Sequence, residues 1–166
     1  MPEKETEEQA RQDAQEGKAP STQAGEFVRE EMEHVREGKH GARSPQQAIA
    51  IGLSKARRAG VKLPPPRKGR ASASTRTRAA RDYHKGQTGR RRKPSARRSR
   101  AISSVLRREG REAASTGALS RQAHRSARSR GAADRSRAAE RAVRTKGRSG
   151  LRQAARKAAR TRARRG

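Results

Sequence analysis

Large apolar residues are distributed very unevenly along this chain, and that distribution limits where a packed core can form. Fixing the backbone of one residue costs roughly 1–2 kcal/mol, so a segment needs many apolar side chains to stay folded. Residues 67–166 have too few of them, and the sequence therefore predicts a small folded region followed by extensive disorder. The large apolar residues of that segment are Tyr83, Ile102, Val105, Leu106, Leu119, Val143 and Leu151.

The stretch 44–63 has the start and stop signals of one helix. Ser44 is a good N-cap, Pro45 suits the first helical position, and Gln47 stands where it can complete a capping box. Gly60 suits a left-handed C-terminal position, and the three prolines that follow at 64–66 prevent continuation. A helix is therefore predicted between Ser44 and Gly60.

The segment before it has apolar residues on one helical face, while Glu and Arg cover the other face. The short connection 38–43 favours an antiparallel pair. Ile51 falls off the expected seam, which indicates a third surface or self-association. We predict a helical hairpin over 21–63, whose seam is formed by Phe27, Val28, Met32 and Val35 against Ile49, Leu53 and Ala56.

The charge divides as sharply as the apolar residues do. Residues 1–66 carry 11 Lys/Arg and 11 Asp/Glu, whereas residues 67–166 carry 34 Lys/Arg and 5 Asp/Glu. The whole net charge of +29 therefore belongs to the second part, where 29 of the 34 cations are Arg. Such a polycation favours a polyanionic partner.

Four segments follow from these patterns: a polar flexible arm (1–20), the helical hairpin (21–63), a Pro- and Arg-rich linker (64–100) and an Ala- and Arg-rich basic tail (101–166). Ala and Arg are strong helix formers. Like charges at i,i+4 repel, and short helices are marginal in water. The predicted fold class is mostly α with extensive disorder. An N-terminal two-helix hairpin is followed by a basic tail of short, isolated or binding-induced helices. These tail helices are expected at about 102–109, 119–130, 132–145 and 151–164.

The basic tail predicts sequence-independent binding of duplex DNA. Arg pairs with phosphate in a bidentate fork, and each neutralised phosphate releases counterions. Aromatic residues are 1% of the chain, which argues against readers that stack single-stranded bases. The residues expected to contact phosphate are Arg90, Arg91, Arg92, Arg121, Arg125, Arg128, Arg137, Arg141, Arg144, Arg152, Arg156 and Arg160.

Two other classes of function stay open. The same tail would suit an RNA- or ribosome-associated protein, and the hairpin would suit an adaptor that docks a protein partner. Sequence-specific reading by a helix-turn-helix is not favoured, because the connection is longer than the usual three to four residues and no third helix is evident. We expect a cytoplasmic protein located at the nucleoid. No apolar run reaches the length of a membrane span, so membrane association is not expected.

Catalysis and cofactors find no support in the sequence. There is no nucleophile elbow, no phosphate-binding glycine pattern and no cysteine. Glu31 and His34 have the Glu-x-x-His spacing of di-iron bundles, but those bundles need four helices and a second such motif. His40 lies in a glycine-flanked turn, which we interpret as a hairpin loop rather than an anion site. The sequence thus predicts no enzyme, no cofactor and no metal.

Residues 25–66 resemble a small uncharacterised helical domain found at the start of short basic bacterial proteins. The resemblance rests on a helix, the turn Gly38–Lys39–His40 and the motif Ser-x-x-Gln-Ala-Ile-Ala-Ile at 44–51. The tail is similar in kind to those of histone-H1-like bacterial nucleoid proteins, although it uses Arg over Lys and lacks Ala-Lys-Pro repeats. The resemblance implies a bacterial nucleoid-associated protein and supplies no known catalytic or binding residue.

Overall fold

A computed structural model describes residues 2–89 and 95–164 of the protein. The described residues form seven α-helices and one 3-10 turn. These are α1 (Lys4–Gln15), α2 (Pro20–Glu37), α3 (Pro45–Arg58), α4 (Ala73–Gln87), α5 (Ala96–Arg108), the 3-10 turn (Glu112–Ala114), α6 (Thr116–Ser129) and α7 (Ala132–Ala163).

The prediction of a two-helix hairpin followed by extensive disorder is wrong. Helices occur from Lys4 to Ala163, including the segments predicted to be a flexible arm, a linker and a loosely ordered tail. The error has two physical causes. Several helices pack through alanine, glycine and buried polar side chains, so a count of large apolar residues underestimates the packing. In the tail, Ala and Arg favour the helix without burial.

The packed pair α2 and α3 forms the centre of the structure. Phe27 and Val35 of α2 are fully buried at this contact. On α3 the buried stripe is made of small residues at every fourth position, namely Ala48, Gly52 and Ala56, whereas the predicted seam residues Ile49 and Leu53 are only partly buried beside it. The two backbones therefore approach closely.

The ends of α3 follow the predicted local rules. The Ser44 hydroxyl accepts a hydrogen bond from the Gln47 amide at 3.2 Å, while the Gln47 side chain accepts from the Arg43 amide at 2.9 Å. Gln47 thus reaches one residue beyond the predicted capping box. Gly60 has φ 101°, and the amide of Val61 donates back to the last turn, as in a Schellman motif.

Helix α1 packs against α2 and contacts both its apolar face and Glu30, which was predicted to face solvent. Ala10 packs with Ala24 and Phe27 in one hydrophobic cluster. The amide of Glu3 donates to Glu30 Oε2 at 3.2 Å. The N-terminal segment is therefore part of the packed structure, and the carboxylates beneath it are shielded from water.

Helix α4 lies in the segment predicted to be a linker, and it packs against α3. The carboxylate of Asp82 accepts hydrogen bonds from Ser54 Oγ and Arg58 Nε, both at 2.7 Å. At Gly86 the backbones almost touch, because a Cβ there would fall 1.9 Å from the carbonyl oxygen of Arg57. A salt bridge and a glycine contact thus dock this helix in place of large apolar residues.

The end of α5 and the residues that follow it contact the loop between α2 and α3. The amide of Gly41 donates to the Leu106 carbonyl at 2.8 Å, and the amide of Ala42 donates to the Gly110 carbonyl at 3.1 Å. The two alanines of the 3-10 turn are buried in the cluster that contains Met32. The loop between α2 and α3 is therefore held by backbone hydrogen bonds to Leu106 and Gly110 and by packing against the 3-10 turn.

Contacts divide the chain into two compact units, Met1–Gln122 and Ala123–Gly166. In the second unit no described residue is buried. Its main element is α7, whose helical conformation is interrupted at Gly147 (φ 65°, ψ 174°). Among the described residues, none of the helices combines the length and hydrophobicity of a membrane span.

Candidate functional site

The described arginines predicted to contact phosphate lie on helices, in three rows. Within each row the spacing is three or four residues, so the side chains share one helical face. All nine residues are exposed to solvent. The rows are Arg121, Arg125 and Arg128 on α6, Arg137, Arg141 and Arg144 on α7 before Gly147, and Arg152, Arg156 and Arg160 on α7 after it. The remaining candidates Arg90, Arg91 and Arg92 lie outside the described residues.

The unit Ala123–Gly166 is dominated by positive charge. It contains 16 Lys/Arg and only two carboxylates, Asp134 and Glu140. Two carboxylates cannot neutralise 16 cations, so most of this charge is available to an external anion. Because no described residue of the unit is buried, the cations are accessible from solvent.

The spacing within the rows suits a chain of phosphates. Residues four apart on a helix are about 6 Å apart along its axis, and consecutive phosphates on one DNA strand rise about 3.4 Å. Because the strand winds around the duplex, its neighbouring phosphates are farther apart than this rise, so a spacing of about 6 Å lets the arginines of one row lie near phosphates of one strand. An α-helix also fits the major groove of duplex DNA.

A buried ionic cluster in the first unit was not predicted. Lys55 Nζ lies 2.9 Å from Glu30 Oε1 and 2.7 Å from Glu31 Oε2. The side chains of Glu30 and Glu31 are 3% and 0% exposed. Burial acts to lower the pKa of Lys55, but the two carboxylates outweigh it and leave that pKa raised. The ammonium group is therefore held in its charged form between α2 and α3.

Glu30 is the counterpart of Lys55 in this cluster. Burial acts to raise the pKa of Glu30, but hydrogen bonds from Lys55, from Thr6 and from the Glu3 amide outweigh it, so the pKa is lowered. The carboxylate is thus stabilised in its ionised form by groups from α1, α3 and the residue before α1. We assign this cluster a structural role in joining three helices.

Residues 19–68 match the model of DUF6496, a family of unknown function. This match covers α2 and α3 and confirms the resemblance to a small uncharacterised helical domain. No curated protein matches the chain, and no solved structure does. The arginine rows lie outside the DUF6496 region, so the match assigns them no role.

Only part of this arrangement was accessible from the sequence. The arginine rows follow from residue spacing alone, because helical periodicity places them on common faces. The ionic cluster depends on α1 covering α2, and no local pattern predicts that packing.

Proposed function

We propose that this protein binds duplex DNA through the phosphates, without reading the base sequence. The observation that supports this function is the set of nine exposed arginines in helical rows, in a chain whose net charge lies entirely after residue 66. Arginine donates paired hydrogen bonds to phosphate oxygens, and counterion release supplies the affinity. Phosphate contacts carry no sequence information directly.

A nucleoid-associated or architectural role fits this mode of binding. Such a role requires many weak contacts distributed over the duplex rather than a few base contacts. The cytoplasmic nucleoid is the location where a non-specific DNA binder would accumulate. Both the role and the location belong to the proposal.

The salt dependence of affinity tests the proposal. Fluorescence anisotropy with labelled duplexes should give the same affinity for AT-rich and GC-rich sequences. The slope of log affinity against log salt should be about −9 if about ten phosphates are neutralised. Replacing Arg152, Arg156 and Arg160 with Gln should reduce the magnitude of that slope by roughly two to three.

A matched control removes the same charge from the first part of the chain. The variant Arg11→Gln, Arg29→Gln and Lys62→Gln changes three exposed cations before Pro64, and its slope should stay close to that of the wild type. The proposal fails if the two variants behave alike, or if affinity depends strongly on base sequence. Preferential competition by structured RNA would instead support the RNA-associated alternative.

A further inference from the structure

Three side chains with metal-ligating groups converge where α2 meets the loop that follows it. Glu31 and His34 lie one turn apart on α2, and His40 comes from the loop. One potential ligand atom from each residue lies within 4.8 Å of the other two. The Glu31 side chain is fully buried, and the two histidine side chains are 12% and 18% exposed. This grouping is separate from the arginine rows.

Backbone hydrogen bonds around His40 fix its position in the absence of any ligand. Helix α2 ends at Gly38 with φ 77°, a left-handed conformation that redirects the chain. The amide of Lys39 donates to the His34 carbonyl at 3.0 Å, and the amide of Gly41 donates to Leu106 at 2.8 Å. His40 is therefore held on both sides by backbone hydrogen bonds.

The carboxylate of Glu31 lacks the hydrogen bonds that a buried acceptor requires. Both oxygens are buried, and neither accepts a hydrogen bond of acceptable geometry. Lys55 contacts Oε2 at 2.7 Å as an ion pair, and Oε1 faces His40 Nε2 at 3.3 Å. Buried acceptors without such bonds are costly, and a cation at Oε1 would remove that cost.

The hydrogen bonds of the histidines leave one nitrogen of each ring for a ligand. Nδ1 of His40 lies 3.1 Å from the Gly41 carbonyl, which can only accept, so Nδ1 carries a proton. In the neutral ring Nε2 then has a lone pair, and it faces another acceptor on Glu31. Nε2 of His34 contacts Glu3 Oε1 at 2.8 Å, so Nδ1 is the lone-pair nitrogen of His34, and it lies 3.9 Å from Glu30 Oε1. Hydrogen bonds of this kind orient metal-bound histidines.

We propose that Glu31, His34 and His40 bind a divalent first-row transition metal, best matched by Zn²⁺. Two imidazoles and one carboxylate are a ligand set that zinc takes, with a fourth position open to water or another ligand. Tetrahedral bonds of about 2.0–2.1 Å give a ligand separation of about 3.3–3.4 Å, and His40 Nε2 and Glu31 Oε1 are 3.3 Å apart. The negative charges of Glu3 and Glu30 offset the nearby Lys55 ammonium.

Cobalt and zinc titrations of the untagged full-length protein test this site. The protein is first freed of nucleic acid in high salt, because phosphates also bind divalent metals. Added Co²⁺ should produce visible absorption bands of a tetrahedral complex, saturating at one ion per chain. Added Zn²⁺ should abolish those bands and raise the melting temperature of the protein.

The four histidines of the chain provide a matched control. The double variant His34→Gln and His40→Gln should lose the cobalt bands and bind Zn²⁺ at least 100-fold more weakly. The double variant of the two exposed histidines outside the site, His84→Gln and His124→Gln, should bind as the wild type does. Circular dichroism establishes that each variant is folded.

The single variant His40→Gln keeps the proposal testable if the double variant does not fold, because it changes only the loop and leaves α2 intact. It should weaken Zn²⁺ binding by about 10-fold or more. The proposal is overturned if the wild type gives no cobalt bands, or if the His84 and His124 variant loses the metal while the His34 and His40 variant keeps it.

Discussion

At the scale of single residues, Gly52 is the position on which the contact between α2 and α3 depends most directly. A Cβ at this position would lie 2.7 Å from Val28 Cα and 2.9 Å from the Phe27 carbonyl oxygen. Both neighbours are backbone atoms of α2, so neither can move aside without displacing the helix. The close approach of the two helices therefore requires glycine here.

We expect Gly52→Ala to reduce the free energy of unfolding by about 1–3 kcal/mol, because it overpacks the helix contact. Gly25→Ala is the matched control, since Gly25 lies inside α2 with no atom near the added Cβ. That change should stabilise the protein by roughly 0.5–1 kcal/mol, because alanine is the better helix former. Urea unfolding measures both effects, and equal stability of the two variants would contradict the packing described.

The lowered pKa of Glu30 predicts loss of stability in acid. A carboxyl group whose pKa is lower in the folded state stabilises the fold at pH values above its ordinary pKa of 4.5. This contribution disappears as the pH falls through the lower pKa of the folded state. Glu30→Gln should therefore flatten the decline in unfolding free energy below about pH 4.5. Glu33→Gln, at an exposed position on the same helix, should leave the decline unchanged. Urea unfolding at several pH values compares the two variants, and parallel curves would exclude this role of Glu30.

Residue-scale features were predictable where they depend on neighbours in the chain. The Ser44 cap and the Gly60 terminus each involve groups within one or two helical turns, so the sequence contains both partners. The requirement for glycine at 52 depends on which face of α2 lies opposite. The burial of Glu31 involves Lys55 of α3 and His40 of the loop after α2. Neither condition is visible in the local sequence.

At the scale of elements, α4 shows how a helix docks with few apolar residues. Its buried residues are Ala79 and Asp82, and its start is capped by Ser72, whose hydroxyl accepts from the Thr75 amide at 3.2 Å. The polar composition of this segment was the reason for predicting a linker there. The Ser72 cap and the helix-forming residues after it could have predicted this helix. No feature of the local sequence indicates that the helix packs against α3.

Asp82→Ala should release α4 from α3, because it leaves Ser54 and Arg58 without their carboxylate. We expect a loss of about 1–3 kcal/mol in the unfolding free energy, with faster amide exchange in Ala73–Gln87 than in α2. Asp82→Asn retains an acceptor for Ser54 and should cause a smaller change. Unaltered exchange in α4 of the Asp82→Ala protein would mean that the carboxylate does not hold the helix.

At the scale of the whole molecule, the distribution of charge and the extent of helical order differ in how well the sequence predicts them. The division of net charge was fully predictable from the sequence, since it needs only counting. Helices were predicted in the tail, but only as short, isolated or binding-induced ones, because repulsion between like charges was given more weight than the helix propensity of Ala and Arg. Full exposure keeps those charges in water, where their repulsion is weak.

The free protein should accordingly be helical before any DNA is added. Far-ultraviolet circular dichroism should show a predominantly helical spectrum in low salt, and saturating duplex should change the ellipticity at 222 nm little. The spectrum of the duplex alone at the same concentration is subtracted to correct for the absorbance of the nucleic acid. A large gain of helix on binding would show that the tail folds only with its ligand.

The contact between the end of α2 and the 3-10 turn also determines the order in which the chain completes its fold during synthesis. Arg36 Nε donates to the Ala114 carbonyl across a separation of 78 residues. Helices α2 and α3 leave the ribosome before that turn is made, so the part of the Met32 and Val35 cluster that Ala113 and Ala114 cover stays open until they arrive. Closing so long a loop costs entropy and slows folding. A nascent chain of this protein therefore leaves part of this apolar cluster uncovered while the residues between Arg58 and the 3-10 turn are made, and chaperones can bind in that interval.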